Sequence, residues 1–255
     1  YYFYAYLQMV ESKDITIGEP VNVVVPTGNF GNILAAYYAK QMGLPIGKLI
    51  CASNDNKVLY DFFNTGKYDK DREFILTISP SMDILISSNL ERLIYQITGE
   101  DANKTKELME SLKTKGYYEI DASMKEKLVD FYGGFASQEE TLIRIKELYE
   151  STDYLIDTHT AVAYSVYKDY VHKTQDATKT IIASTASPYK FTTSVMGALD
   201  KKYEAYSDFE LIDTMSELIK MDIPEGIKDI DKRPILHTQI CEKDEMKKVV
   251  AEILK

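Results

Sequence analysis

The chain is poor in the features that disclose a function by composition. Two cysteines, Cys51 and Cys241, stand far apart among 255 residues. They make neither a disulfide framework nor a cysteine-rich metal site, and a reducing compartment is the default. Cys51 sits in the apolar run Leu49-Ile-Cys-Ala52 and is expected to be a small core residue. Three histidines, His159, His172 and His237, share no metal-ligand spacing, so no metal is expected. No stretch approaches the roughly 20 apolar residues of a membrane span, and no secretory leader is visible. A cytoplasmic protein without a membrane partner is therefore expected. Basic residues are outnumbered 30 to 40, giving a formal charge of −10. That sign repels phosphodiester backbones and anionic bilayers unless a basic patch intervenes. Lysines scattered among acids, as in Asp69-Lys-Asp-Arg-Glu73, belong to solvated faces, and no nucleic-acid partner is expected.

What is present is ordinary for a globular α/β protein: 45% hydrophobic and 27% charged residues, enough for one large domain or two small ones. The most informative run is Val21-Asn-Val-Val-Val-Pro-Thr-Gly-Asn-Phe-Gly-Asn32, a buried parallel strand, a glycine-containing turn and a helix start. Gly28 and Gly31 are expected to take positive φ and let a ligand approach the backbone. The free amides and positive dipole end of the following helix favour an anion such as phosphate. The Gly-x-x-Gly spacing matches neither the dinucleotide fingerprint nor the P-loop, and no Gly-Lys-Ser/Thr follows. A plain βα connection with turn chemistry accounts for the same residues.

Further along, 48–52 reads as a second strand, 53–56 as a turn and 58–64 as a short helix. The segment 74–86 is read as a strand-like stretch with a loop. Four Ser-x-x-Glu pairs, starting at Ser88, Ser123, Ser137 and Ser207, are read as helix-opening capping boxes. The region at about 87–150 is expected to be a helical subdomain or insertion without a strand, with Gly133-Gly134 as a loop. Helices are expected at 160–172, from Pro188, at 211–220 and at the C-terminus, and strands at 179–184 and 235–241. Three strands thus end in polar turns: Pro26-Thr-Gly-Asn, Ala52-Ser-Asn-Asp and Ser184-Thr-Ala-Ser. Strand carboxyl ends of an open parallel sheet face one crevice, which makes these turns candidates for one site, although Ser, Thr, Asn and Asp also serve simply as N-caps. His159, in Asp157-Thr-His-Thr-Ala161, is the one histidine among polar residues ahead of a helix. It reads as a helix-cap neighbour or as a general base. Lys190 lies closest to a plausible site but reads as a solvated helix-start lysine.

The run Val25-Pro-Thr-Gly-Asn-Phe-Gly-Asn-Ile-Leu-Ala-Ala-Tyr-Tyr-Ala-Lys-Gln-Met-Gly-Leu-Pro-Ile46 closely resembles the phosphate-loop region of threonine synthases. The segments Cys51-Ala-Ser-Asn-Asp-Asn, Asp61-Phe-Phe-Asn-Thr-Gly66, Ser79-Pro-Ser-Met-Asp-Ile84, Asp157-Thr-His-Thr-Ala-Val162 and Ser184-Thr-Ala-Ser-Pro-Tyr-Lys-Phe191 resemble that family's segments in the family's order. The resemblance spans essentially the whole chain. It implies a tryptophan-synthase-like, fold-type II pyridoxal-phosphate enzyme that converts O-phosphohomoserine and water to threonine and phosphate. The implied fold is α/β, with a mainly parallel open sheet flanked by helices, and 1–255 forming most of the large cofactor domain.

By match to the motif, Gly28, Asn29, Phe30, Gly31 and Asn32 would cradle the phosphate of pyridoxal 5'-phosphate through backbone amides. Thr185 would hydrogen-bond the pyridine nitrogen and leave it largely unprotonated. Ser187 and Thr158 depart from the His and Pro that many members carry. The family's Schiff-base lysine lies upstream in a Ser-Phe-Lys-Asp-like motif that nothing here matches; Lys70 lacks that context. The opening Tyr1-Tyr-Phe-Tyr-Ala-Tyr-Leu7, apolar and without methionine, is expected to be a cut through a longer protein. The expectation is therefore a C-terminal part of the enzyme, inactive alone, whose partners are O-phosphohomoserine and the N-terminal part of the same protein. A threonine-synthase-like phospholyase and a non-catalytic phosphate-binding module are the alternatives.

Overall fold

The β-branched run Val21–Pro26 forms strand β1, buried along its whole length. In the computed structural model, which describes residues 1–255, β1 lies inside a four-stranded parallel sheet. Its neighbours are β2 (Ile46–Ser53), with Val25 level with Cys51, and β6 (Thr180–Ile182), with Val24 level with Ile182. β5 (Phe131–Phe135) pairs with the far side of β2, giving the order β5-β2-β1-β6. A parallel sheet needs crossovers, and they coat both faces with helices. Alternation along the strands divides the core: Val23, Val25, Leu49 and Cys51 join one cluster, Val24, Ile50 and Ala52 the other.

Helices α1 (Tyr2–Glu11), α2 (Gly31–Gln41) and α3 (Val58–Thr65) contribute to the first cluster through Tyr6, Ile33, Leu34 and Phe62. So does α4 (Leu90–Ile97), whose Leu90, Leu93, Ile94 and Ile97 form a buried i, i+3, i+4, i+7 stripe. Helices α5 (Ala102–Lys115) and α6 (Ala122–Glu126) flank β4 (Tyr117–Glu119), which pairs antiparallel with β3 (Lys67–Asp69). Helix α7 (Gln138–Thr152) precedes α8 (Thr158–Thr174), which covers the second face with Val162, Ala163, Val166 and Tyr170. Helices α9 (Thr192–Leu199) and α10 (Asp208–Ile219) complete the unit Tyr1–Lys220. A second unit, Met221–Lys255, contains α11 (Met246–Ile253). No helix is long and apolar enough to cross a membrane.

Several local expectations are corrected. The region at about 87–150 contains two strands, β4 and β5, and Gly133-Gly134 lies inside β5. A glycine pair reads as a loop in sequence, but here helices lie directly on the strand. A Cβ at Gly133 would come 2.9 Å from the Cβ of Phe63, and one at Gly134 would overlap Cγ1 of Val166. Ser137 and Ser207 form capping boxes with Glu140 and Glu210 as expected. The other two do not form, because Asp121 caps α6 and the Ser88 hydroxyl donates instead to Asn29 Oδ1, 3.1 Å away. No strand forms in 74–86; its backbone is held by Asn56 and Asp83 side chains around a 3-10 turn, Pro80–Met82. The strand expected at 235–241 is also not formed.

Candidate functional site

Because β2, β1 and β6 are parallel neighbours, the three polar turns that follow them emerge on one edge of the sheet. Contacts cross between the first two: the Thr27 amide donates to the Ala52 carbonyl at 2.8 Å. This is the carboxyl edge, where open α/β sheets bind ligands.

At the centre stands the turn from Thr27 into α2. Helix α2 has no side-chain cap and no acidic residue in its first turn, so its positive end is unopposed. The amides of Gly28, Asn29 and Asn32 have no protein acceptor, whereas that of Gly31 donates to the Asn29 carbonyl at 2.6 Å. Gly28 and Gly31 do not have the positive φ expected of them. What requires Gly28 is close approach: a Cβ there would lie 2.7 Å from the Ser81 carbonyl oxygen and 3.1 Å from Met82 Cα. A Cβ at Gly31 would sit 3.3 Å from Asn89 Nδ2.

Side chains of this turn are already engaged by the protein. Phe30 is fully buried, its ring 5.9 Å from both Phe63 and Phe131. Asn29 receives the Ser88 hydroxyl, and Asn32 Oδ1 accepts from the Tyr2 hydroxyl at 2.6 Å. The unpaired backbone donors of Gly28, Asn29 and Asn32 are a set suited to phosphate oxygens.

Ser87 is a residue that sequence reasoning missed. Its hydroxyl donates to the Gly28 carbonyl at 2.8 Å and accepts from the Phe30 amide at 3.2 Å, bracing the turn. The Ser87 amide in turn donates to the Tyr68 hydroxyl at 2.7 Å, and Tyr68 stacks on Tyr118 with centroids 5.3 Å apart. Burial pushes the Tyr68 phenol up to about 12, so it remains a neutral donor, here to the Leu85 carbonyl. The only sequence signal was a polar pair, Ser87-Ser88, closing an apolar stretch.

His159 is buried. Its Nδ1 lies 3.1 Å from Asp157 Oδ1, and its Nε2 accepts the Ser81 amide at 3.2 Å. Asp157 is the N-cap of α8 and also takes the Thr160 hydroxyl. Burial alone would raise the Asp157 carboxyl, but hydrogen bonds from His159 and Thr160 outweigh it and hold the group below its usual range. Thr185, three residues beyond the end of β6 at Ile182, is exposed. Lys190 is exposed, with its ammonium 5.5 Å from the Phe191 ring centre. Cys51 is a core residue, its thiol pushed up to about 12 by burial. The donors of the Gly28 turn suit a phosphate, and the Thr185 hydroxyl suits a heteroaromatic nitrogen.

Residues 160–250 match the family described as threonine synthase, C-terminal. The chain is 46% identical over 205 residues to human threonine synthase-like 1, covering 79% of this chain and 27% of that protein. A crystal structure of yeast threonine synthase superposes on all of the chain with TM-score 0.83 and 35% identity, the chain covering 50% of it. The chain belongs to the threonine synthase and threonine synthase-like family. A crystal structure of threonine synthase from Brucella melitensis, described as bound to pyridoxal phosphate, matches 98% of the chain with TM-score 0.80 and 31% identity. The chain covers 48% of that structure, so it spans half or less of the threonine synthase relatives named here. The mainly parallel sheet flanked by helices is that of these fold-type II enzymes.

Proposed function

We propose that this chain supplies the phosphate cradle and ring-nitrogen partner of a pyridoxal-phosphate enzyme that converts O-phosphohomoserine and water to threonine and phosphate. The carrying observation is the set of amides at Gly28, Asn29 and Asn32 without protein acceptors, at the uncapped start of α2. These amides, with Phe30 and Gly31 shaping the turn, would hold the cofactor phosphate. The Thr185 hydroxyl would donate to the ring nitrogen and leave it unprotonated. When bound, the cofactor supplies an electron sink for carbanion chemistry at the substrate. The chain's own part is to anchor and orient that group and to keep acidic side chains away from its phosphate.

We read 1–255 as the larger part of the cofactor domain of a cytoplasmic enzyme. None of the residues at the turn, Ser79–Met82 or Ser87–Asn89, is a lysine. The chain alone is therefore expected to give no threonine from O-phosphohomoserine when supplied with pyridoxal phosphate; measurable turnover would overturn that. The 46% identity to human threonine synthase-like 1 favours a second reading, a phospholyase of related substrate. Assaying a whole protein that contains this chain decides between them. Threonine formation supports the first reading, release of phosphate from other phosphorylated amino acids supports the second, and neither supports a non-catalytic binding module.

A further inference from the structure

We propose that Asp157 and His159 are positioning residues that set the spacing between the two parts of the cofactor site, the Gly28 turn and Thr185. The nature of the ligand rests on the function proposed above; the positioning itself rests on geometry. One carboxylate reaches both parts. Through Oδ1, Asp157 accepts from the His159 amide at 2.8 Å and lies 3.1 Å from His159 Nδ1. Through Oδ2 it accepts the Thr160 hydroxyl, whose oxygen lies 3.2 Å from the Ser184 hydroxyl, next to Thr185.

The donors assign the histidine tautomer. Nε2 faces the Ser81 N–H, which can only donate, so Nε2 carries no proton. Nδ1 then bears the hydrogen and points it at Asp157, an arrangement in which the carboxylate fixes the tautomer and thereby the acceptor on the far side of the ring. The Phe191 ring, 4.8 Å from the imidazole centre, limits its rotation. Ser81, held by Nε2, is the residue whose carbonyl lies against Gly28 where a Cβ would come within 2.7 Å. His159 thus acts on the phosphate turn through the Pro80–Met82 turn, and Thr160 acts on the β6 exit through Ser184. Both arms start from one buried side chain at the N-terminus of α8, itself packed on β1 and β2. Asp157 is the charged group facing the imidazole; its other neighbours in hydrogen-bond or ring contact, Ser81, Thr158 and Phe191, are neutral.

The test uses the full chain. Nitrogen-15 NMR of the histidines should show His159 with a protonated Nδ1 and a bare Nε2; the opposite tautomer would overturn the proposal. His159→Leu should speed hydrogen exchange of the Ser81 amide by about tenfold, whereas His159→Gln, which keeps an acceptor toward Ser81, should restore protection. Unchanged exchange in the leucine variant, or no rescue by glutamine, would contradict it. In the same variants, affinity for inorganic phosphate and pyridoxal phosphate should fall about tenfold with leucine and recover with glutamine. Thr160→Val should weaken pyridoxal phosphate more than inorganic phosphate, because it loosens the Thr185 arm; equal effects would overturn the two-arm assignment. If the wild-type chain binds neither probe, the proposed function fails while exchange and tautomer still decide the positioning claim.

Discussion

Two glycine pairs, Gly28/Gly31 and Gly133/Gly134, are joined through the ring contact of Phe30 with Phe63 and have different surroundings. All four avoid positive φ, and at Gly28, Gly133 and Gly134 another group occupies the space of a Cβ, whereas at Gly31 the Asn89 side chain is merely close. At Gly133 and Gly134 the occupants are helix residues, Phe63 and Val166, pressed on an edge strand. At Gly28 the occupant is a backbone carbonyl of a polar turn, and the neighbouring amides are left without acceptors. Glycine by itself therefore says only that something comes close. What separates a packing glycine from a binding glycine is whether the adjacent donors are already used.

The largest effect is expected where the two regions meet. Phe30 belongs to the binding turn, yet its ring packs with Phe63, which covers Gly133, and with Phe131 of β5. Phe30→Ala should cost about 3–5 kcal/mol in urea unfolding, because it empties a fully buried site shared by both. A loss below about 1 kcal/mol would show that the regions are independent.

Gly134→Ala should come next, destabilising by about 1–3 kcal/mol through overlap with Val166. Measured on the folded fraction, its phosphate affinity should equal that of wild type; reduced affinity would blur the contrast between the pairs.

The sequence made the first contrast only halfway legible. The strand–turn–helix at Val21–Asn32 was plain, because β-branched runs, glycines and helix periodicity are local signals. So was the stripe of α4. The edge strand β5 was hidden, because a strand holding two glycines owes its pairing to β2 and its composition to α3 and α8, which lie far away in sequence. The capping role assigned to Ser88 failed for the same reason: a nearer claim, Asn29, comes from 59 residues upstream. Ser87 and the Ser81 contact of His159 were likewise invisible, since both act on groups brought close only by folding. The six proposed ligand residues were found through family resemblance; local reading alone gave an anion turn and left its ligand open.

A smaller effect is expected from acid. Asp157 is held below its ordinary range as described, and Asp176 is held well below it by hydrogen bonds from Thr178, Tyr170 and the Asn22 side chain. Both folded-state values lie under the unfolded value of about 3.9, so their contribution is complete above that pH and is lost as pH falls through the folded values. Unfolding free energy should therefore drop below about pH 4, and Asp176→Asn should flatten that drop. A wild-type profile without it would contradict both assignments. Asp176 anchors β1 and Asp157 the site edge, so phosphate affinity should be more sensitive to substitution of the second.

The most direct measurement is calorimetric titration of the chain with pyridoxal phosphate, inorganic phosphate and pyridoxal, repeated with Gly28→Ala. Saturable binding of the two phosphate-bearing ligands, competition between them, at least tenfold weaker binding of pyridoxal, and loss of phosphate binding in the folded alanine variant are expected. Equal affinity for pyridoxal and pyridoxal phosphate, or undiminished phosphate binding by Gly28→Ala, would contradict it.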